Sequence, residues 1–145
     1  MNWGYLLVVF LIIVVGVAIV TARQRFVAVT VYGNSMRPTF RSGDRVLVRR
    51  VRMAAVRRGH VVVVEQPDVS GSVRRLWAIK RVAAVPGEPV PPGLEPALSH
   101  LAGEPVPGGH LVLLGDNREA SRDSRRYGFI PGELLLGVVV RRLGG

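Results

Sequence analysis

The sequence contains no cysteine. This absence excludes disulfide bonds, thiolate catalysis and zinc sites built on cysteine ligands. The three histidines, His60, His100 and His110, show neither ligand-like spacing nor an HExxH pattern. We therefore expect no metal site in this chain.

Lysine is almost absent as well: Lys80 is the single lysine among 20 basic residues, and the others are arginine. A buried lysine can lose its proton, whereas arginine keeps its proton in proteins. Lys80 lies in the apolar segment 76–85, where strand alternation places it on one face with Leu76, Ala78, Val82 and Ala84. We expect burial there to lower the lysine pKa, so that its neutral amine acts as a base. The simpler alternative is that an arginine-rich sequence retains one lysine by chance.

Charge is missing from residues 3–22, which are nearly all apolar. A helix of that length rises about 30 Å, the thickness of the hydrocarbon core of a bilayer. A cleaved signal peptide is the alternative, but the run exceeds a usual signal core, no basic residue precedes it and no clear A-x-A site follows. The sequence predicts an anchor with a short linker in residues 1–25, the linker lying around 21–25.

The formal net charge of +10 belongs entirely to the remainder of the chain. Such a surface attracts nucleic acid or anionic lipid. Since the charge is spread over strand-like segments beside an anchor, we expect membrane lipid as a partner and no nucleic acid.

Short β-branched segments separated by glycine and proline turns fill the region after the anchor. They predict a mainly β protein, in which a single N-terminal transmembrane helix precedes a compact antiparallel β domain at 26–145. Residues 68–73 and most of 86–109 read as loops, and 118–129 as polar and irregular. The predicted strands are 26–32, 45–51, 60–65, 76–85, 110–114 and the end of 134–143 (GVVVRRL), which follows a short turn.

Ser35 follows the first predicted strand, in the segment GNSMRPTF at 33–40. A serine at such a junction can present its hydroxyl and its own N–H to a ligand, and Gly33 permits close approach of the backbone. An ordinary turn serine explains Ser35 equally simply.

A polar segment at 115–125, GDNREASRDSR, is dense in hydroxyl, carboxylate and guanidinium groups. Such a loop can fix itself through Asp–Arg pairs and direct a hydroxyl inward. Taken alone, it also reads as a polar surface loop.

Four segments taken together resemble the bacterial type I signal peptidases, a family of serine–lysine proteases. They follow the anchor in the family's order: GNSMRPTF at 33–40, GDRVLVRRV at 43–51, IKRVAAVPGE at 79–88 and GDNREASRDSRRYGFIP at 115–131. The resemblance implies a serine endopeptidase that removes signal peptides from exported precursor proteins without any cofactor. It makes Ser35 the nucleophile and Lys80 the general base.

The resemblance also implies supporting roles for several residues. Ser121 is expected to orient the lysine, Asp123 and Arg125 to form an ion pair beneath the site, and Asp116 and Asn117 to form a supporting turn. The backbone of Ser35 and Gly33 is expected to contribute the oxyanion hole. Substrate pockets for small residues are expected at Val29, Val31, Met36 and Ile79.

This chain departs from the family pattern at three places. Gly33 stands where some members have a serine whose hydroxyl helps to form the oxyanion hole, so main-chain donors must serve instead. Ala120 replaces an asparagine common in the last segment, which predicts weaker support of that loop. The stretch 90–109 is too short for the large accessory β subdomain of some members.

The two indications of topology disagree. Arg23 and Arg25 follow the anchor, and a positive-inside count would place the domain in the cytoplasm. The family resemblance implies a single-pass protein of the cell membrane with its catalytic domain on the extracytoplasmic face. We adopt the second arrangement, because long domains translocate largely regardless of charge.

Three other functions are compatible with parts of the sequence. One is a dedicated maturation protease of the same family, acting on a single exported protein or peptide. Another is a self-cleaving peptidase of the repressor type, against which the anchor and the segment 115–125 argue. The third is a membrane-tethered basic β domain that binds lipid or nucleic acid.

Overall fold

The computed structural model describes residues 2–66 and 77–144. It begins with helix α1, Trp3–Arg25, none of whose residues is buried. Among the described residues, α1 is the one helix that is long enough and apolar enough to cross a membrane.

Residues 21–25, where the sequence predicts a short linker, are helical, and the linker stays a prediction. Helix α1 continues to Arg25, and the first strand begins at Phe26. The segment holds no glycine or proline that would end a helix, and the Thr21 hydroxyl donates to the Val17 carbonyl at 2.8 Å, a bond that a helix accommodates. The sheet therefore follows the helix without a loop.

The rest of the described chain is organised by one antiparallel sheet, which confirms the predicted mainly β fold. The spatial order of its strands is β1-β2-β7-β3-β4-β5-β6. Strand β7, the last in the sequence, lies between β2 and β3 and pairs with both. The strands are β1 Phe26–Thr30, β2 Arg45–Arg49, β3 Val61–Glu65, β4 Trp77–Ala84, β5 His110–Leu114, β6 Ile130–Pro131 and β7 Leu135–Gly144.

The two faces of the sheet build separate apolar clusters around β3 and β4. Val62, opposite Lys80 in the register, belongs to a cluster with Val82. Val63, opposite Ile79, belongs to a second cluster that includes Ile79 itself. Successive residues of β4 therefore serve different faces, and Lys80 lies on the first of them.

Some elements lie where the sequence pattern predicts none. Helix α2, Ser124–Tyr127, falls in the segment 118–129 that reads as irregular. Four residues are too few to show helical periodicity, but Asp123 caps the helix by accepting from the Arg125 amide. Strand β6 is shorter still, with two residues. The loop expected at 68–73 lies outside the described residues.

Candidate active site

Ser35 and Lys80 line the same cleft, which has a volume of about 230 Å³. Of the residues expected to form substrate pockets, Val31, Met36 and Ile79 line this cleft as well. Val29 lines a neighbouring groove that shares Tyr32, Gln66 and Trp77 with the cleft. The other described residues that line the cleft are Gly33, Asn34, Ala78, Ala120 and Arg122.

Ser35 lies in the turn that connects β1 to β2. Within the turn, the Phe40 amide donates to the Met36 carbonyl at 2.9 Å, and Met36 is fully buried. From outside, the Asn117 amide donates to the Ser35 carbonyl at 2.9 Å, and the Asn117 side chain donates to the Asn34 carbonyl at 3.1 Å. Asn117, which is expected to form a supporting turn, thus makes two hydrogen bonds to the backbone of Asn34 and Ser35.

Gly33 adopts a φ of 83°, in the left-handed region that favours glycine. Its N–H donates to the Ser42 hydroxyl at 3.4 Å, so in this structure the donor faces Ser42. Its part in an oxyanion hole stays a prediction. Ser42 contributes to this turn although the sequence pattern marks it only as turn material.

Lys80 lies in the middle of β4, and only 6% of its surface is exposed. Burial lowers the pKa of its amine, because removal from water disfavours the charged form. The negative charge of Asp123 opposes this effect, and the positive charge of Arg125 adds to it. The net direction is a lowered pKa, the property that a lysine base requires.

Asp123 accepts hydrogen bonds at both carboxylate oxygens and has a completely buried side chain. Oδ1 accepts from the Arg125 amide and Nε, and Oδ2 accepts from Arg125 Nη2, the Gly115 amide and the Ser121 hydroxyl at 2.7, 2.8 and 2.6 Å. Burial alone would raise the pKa of Asp123, but these hydrogen bonds lower it below the ordinary value of an aspartate. The Asp123 carboxylate thus binds Gly115, Ser121 and Arg125 of the segment 115–125 at one point.

The Ser121 hydroxyl donates a hydrogen bond to the Asp123 carboxylate. Its oxygen keeps lone pairs that can accept from an amine. The expected orientation of Lys80 by Ser121 stays a prediction, and it would use those lone pairs.

Asp116 joins the two halves of the site through Arg81, the residue after Lys80. Arg81 Nε and Nη2 each donate to one carboxylate oxygen at 2.8 Å, and the Thr39 hydroxyl donates to Oδ2 at 2.5 Å. The bond from Arg81 is the main cause that lowers the pKa of Asp116 below its ordinary value. Arg81 and Thr39 have no predicted role, although one adjoins Lys80 and the other lies in the Ser35 turn.

Arg142, near the end of β7, holds the far end of the same turn. Its guanidinium lies 3.0 Å from the Asp44 carboxylate, donates to the Thr39 carbonyl and stacks over the Phe40 ring at 5.2 Å. This contact joins residues separated by about a hundred positions, and no sequence signal marks it.

Among residues 2–66 and 77–144, no group of three or more histidine, cysteine, aspartate or glutamate side chains could hold a metal ion. The chemistry that these residues offer is that of a hydroxyl, a buried amine and fixed hydrogen-bond donors.

Comparison with known proteins adds an independent finding. The family model described as signal peptidase, peptidase S26, matches residues 2–92 and 94–143. A probable signal peptidase I-1 from a Synechocystis strain is 30% identical over 91% of this chain and 76% of its own length. Signal peptidase IB from Staphylococcus aureus is 30% identical over 76% of this chain and 73% of its own. Subunit 1b of a mitochondrial ATP-independent inner membrane protease from Arabidopsis thaliana is 35% identical over 77% of this chain and 66% of its own.

The family match covers nearly the whole chain and includes the Ser35 turn, strand β4 and the segment 115–125. The resemblance stated from the four sequence segments is thereby confirmed. The chain belongs to the signal peptidase family, peptidase S26, whose activity is the removal of signal peptides by a serine peptidase.

Proposed function

We propose that this protein is a membrane-bound serine endopeptidase that cleaves signal peptides from exported precursors with Ser35 as nucleophile and Lys80 as general base. The observation that carries the proposal is that a buried lysine with a lowered pKa and a serine on a tightly held turn line one cleft.

Two open strand edges support binding of an extended substrate. Among the described strands, β1 pairs only with β2, and β5 pairs with β4 only from Arg81 onward. Residues 77–80 of β4 and Val31, which directly follows β1, both line the cleft. A cleavage-site segment can add to such edges through its main chain, while Val29, Val31, Met36 and Ile79 form small apolar pockets that select side chains.

The proton transfers follow from the two side chains. The neutral amine of Lys80 takes the proton of the Ser35 hydroxyl as its oxygen attacks the scissile carbonyl. The backbone N–H of Ser35 stabilises the oxyanion by about 3 kcal/mol, and the N–H of Gly33 would add to this only after leaving the Ser42 hydroxyl. Lys80 then donates the proton to the leaving amine, and as a neutral base again it activates the water that hydrolyses the acyl-enzyme. Asp116, Asn117, Ser121, Asp123 and Arg125 position these groups.

Helix α1 would hold the site at a membrane surface as a single-pass anchor, with the domain on the extracytoplasmic face where signal peptides emerge. Anionic lipid headgroups would then face a domain of high positive charge. Protease protection of the domain in inverted vesicles tests this topology: digestion from outside such vesicles would contradict it.

The test of the activity is cleavage of several unrelated precursors by full-length protein in phospholipid micelles. Wild type should release the mature chains, Ser35→Ala should release none, and Ser99→Ala, at an exposed serine that does not line the cleft, should retain activity. Undiminished cleavage by Ser35→Ala would overturn the proposal. Cleavage of one precursor alone would instead indicate a dedicated maturation protease.

A further inference from the structure

A bulge in strand β7 determines which way Arg142 points. In the pairing with β2, Val139 and Arg141 lie opposite consecutive residues of that strand, so Val140 is an extra residue of β7. Side chains of a strand alternate between its faces, and one extra residue reverses the alternation. Arg142, and not Arg141, therefore shares a face with Val139.

The face that Arg142 joins carries the turn with the predicted nucleophile. Val139 packs against the apolar cluster that contains Phe40. The guanidinium of Arg142 lies over the Phe40 ring at 5.2 Å, pairs with the Asp44 carboxylate at 3.0 Å and donates to the Thr39 carbonyl. One side chain of the last strand thus contacts three residues of the connection between β1 and β2.

Asp44 attaches Arg142 to the closed base of this connection. Its side chain is only 8% exposed, and its carboxylate also accepts from the Arg41 amide at 2.9 Å. Its backbone carbonyl accepts from the Val31 amide at 2.8 Å, which holds the two ends of the turn together. Because the carboxylate is nearly buried, salt screens this pair less than a pair on the open surface.

Thr39 is held from two sides, and the hold extends to Ser35. Its hydroxyl donates to Asp116, and its carbonyl accepts from Arg142. The amide of the next residue donates to the Met36 carbonyl at 2.9 Å, and Met36 directly follows Ser35. Release of the Thr39 carbonyl would therefore allow this end of the turn to move and Ser35 to move with it.

We propose that Arg142 is a positioning residue that keeps the Ser35 hydroxyl within reach of Lys80, acting through Asp44 and Thr39. This inference rests on the proposed function, because it takes Ser35 and Lys80 as the reacting pair.

The first test is peptide cleavage by full-length Arg142→Gln in phospholipid micelles. A small misplacement of reacting groups costs far more rate than affinity, so kcat should fall about tenfold to a hundredfold while KM changes less than about twofold. Arg141→Gln is the matched control, an exposed arginine at the next position that points to the other face, and it should change neither constant. Urea unfolding identifies conditions in which both variants are folded. An unchanged kcat of folded Arg142→Gln would show that the residue contributes to stability alone.

If Arg142→Gln does not fold, Arg142→Lys makes the same comparison. Lysine retains a charge beside Asp44 but lacks the planar fork that binds two acceptors at once. We then expect a smaller fall in kcat, about threefold, again at unchanged KM. A kcat equal to that of wild type would contradict the proposal.

The second test does not depend on peptide cleavage. The chain has no cysteine, so Ser35→Cys introduces a single thiol whose alkylation by iodoacetamide can be followed against pH. Arg142→Gln in this background should shift the midpoint of alkylation to higher pH, because the thiolate moves away from the amine of Lys80. Arg141→Gln should leave the midpoint in place.

The two tests separate this inference from the proposed function. If wild type cleaves no peptide but Arg142→Gln shifts the alkylation midpoint, the positioning role stands and the proposed function fails. If wild type cleaves the peptides and Arg142→Gln leaves the alkylation midpoint unchanged, the proposed function stands and the role of Arg142 is wrong.

Discussion

The Asn117 amide donates to the carbonyl oxygen of Ser35 at 2.9 Å, across a sequence separation of more than eighty residues. The same segment begins at Gly115, whose amide donates to Asp123. Two hydrogen bonds, from amides two residues apart in one segment, thus connect Asp123 and the turn that carries Ser35. The following predictions test what each part of it contributes.

Gly115 lies where there is no space for a side chain. A Cβ atom at this position would lie 2.6 Å from the Ser35 carbonyl oxygen and would collide with the Ser121 side chain. Gly115→Ala should therefore displace the Ser35 turn, destabilise the fold by about 1–3 kcal/mol and lower kcat strongly. Gly108→Ala is the matched control, because nothing lies within 4 Å of its Cβ position. Equal activity of the two variants would show that the close packing at Gly115 is dispensable.

Asp116 connects Arg81 to Thr39, and its substitution by asparagine removes the charge from that connection. Because Arg81 is 37% exposed, the ion pair is partly screened, and we expect a loss of about 1 kcal/mol in the free energy of unfolding. The fall in kcat should be larger than the loss of folded protein explains, because the Ser35 turn loses the charged contact that holds it. Urea unfolding and kcat measured on the same preparation provide the comparison. Arg118→Gln, at an exposed pair with a 4.0 Å separation, should change neither.

Asp123 should make stability depend on pH. Its pKa in the folded state lies below the ordinary value of about 3.9 for an aspartate, so its contribution is fully present above that value. The contribution is lost as pH falls from about 4 through the folded-state pKa. In urea unfolding between pH 7 and pH 3, the deficit of Asp123→Asn relative to wild type should be constant at first and shrink below about pH 4. A deficit that does not change with pH would contradict a stabilising carboxylate.

Activity should rise with pH as Lys80 loses its proton, with a midpoint below the ordinary lysine pKa because the amine is buried. The charge of Arg125 contributes to that lowering. Arg125→Gln should therefore shift the rising part of the kcat/KM profile to higher pH, whereas Arg126→Gln should leave it in place. Urea unfolding of Arg125→Gln over the same pH range is the control, because only a shift measured where the variant stays folded reports the pKa of Lys80.

The sequence predicts local features well and long-range contacts poorly. Strand periodicity and turn residues indicate the β fold, and the apolar surroundings of Lys80 in β4 predict its burial. The connection from Arg142 to Asp44 and Thr39 depends on the pairing of β7 with β2, which no local pattern encodes. The sequence pattern also does not show that helix α1 continues through residues 21–25, because charged residues at the end of an apolar run do not end a helix when nothing there disrupts it.

The central claim is that Lys80 acts through an amine that can lose its proton. Precursor cleavage by Lys80→Cys, before and after alkylation of the new thiol with 2-bromoethylamine in denaturant and refolding, tests this claim most directly. The chain has no other cysteine, so the modification restores an amine at this position alone. We predict that Lys80→Cys and Lys80→Arg are folded and inactive, and that alkylated Lys80→Cys regains activity with a profile shifted to lower pH, since its sulfur makes the amine less basic. Near-normal activity of Lys80→Arg, or a folded alkylated protein without activity, would contradict the account.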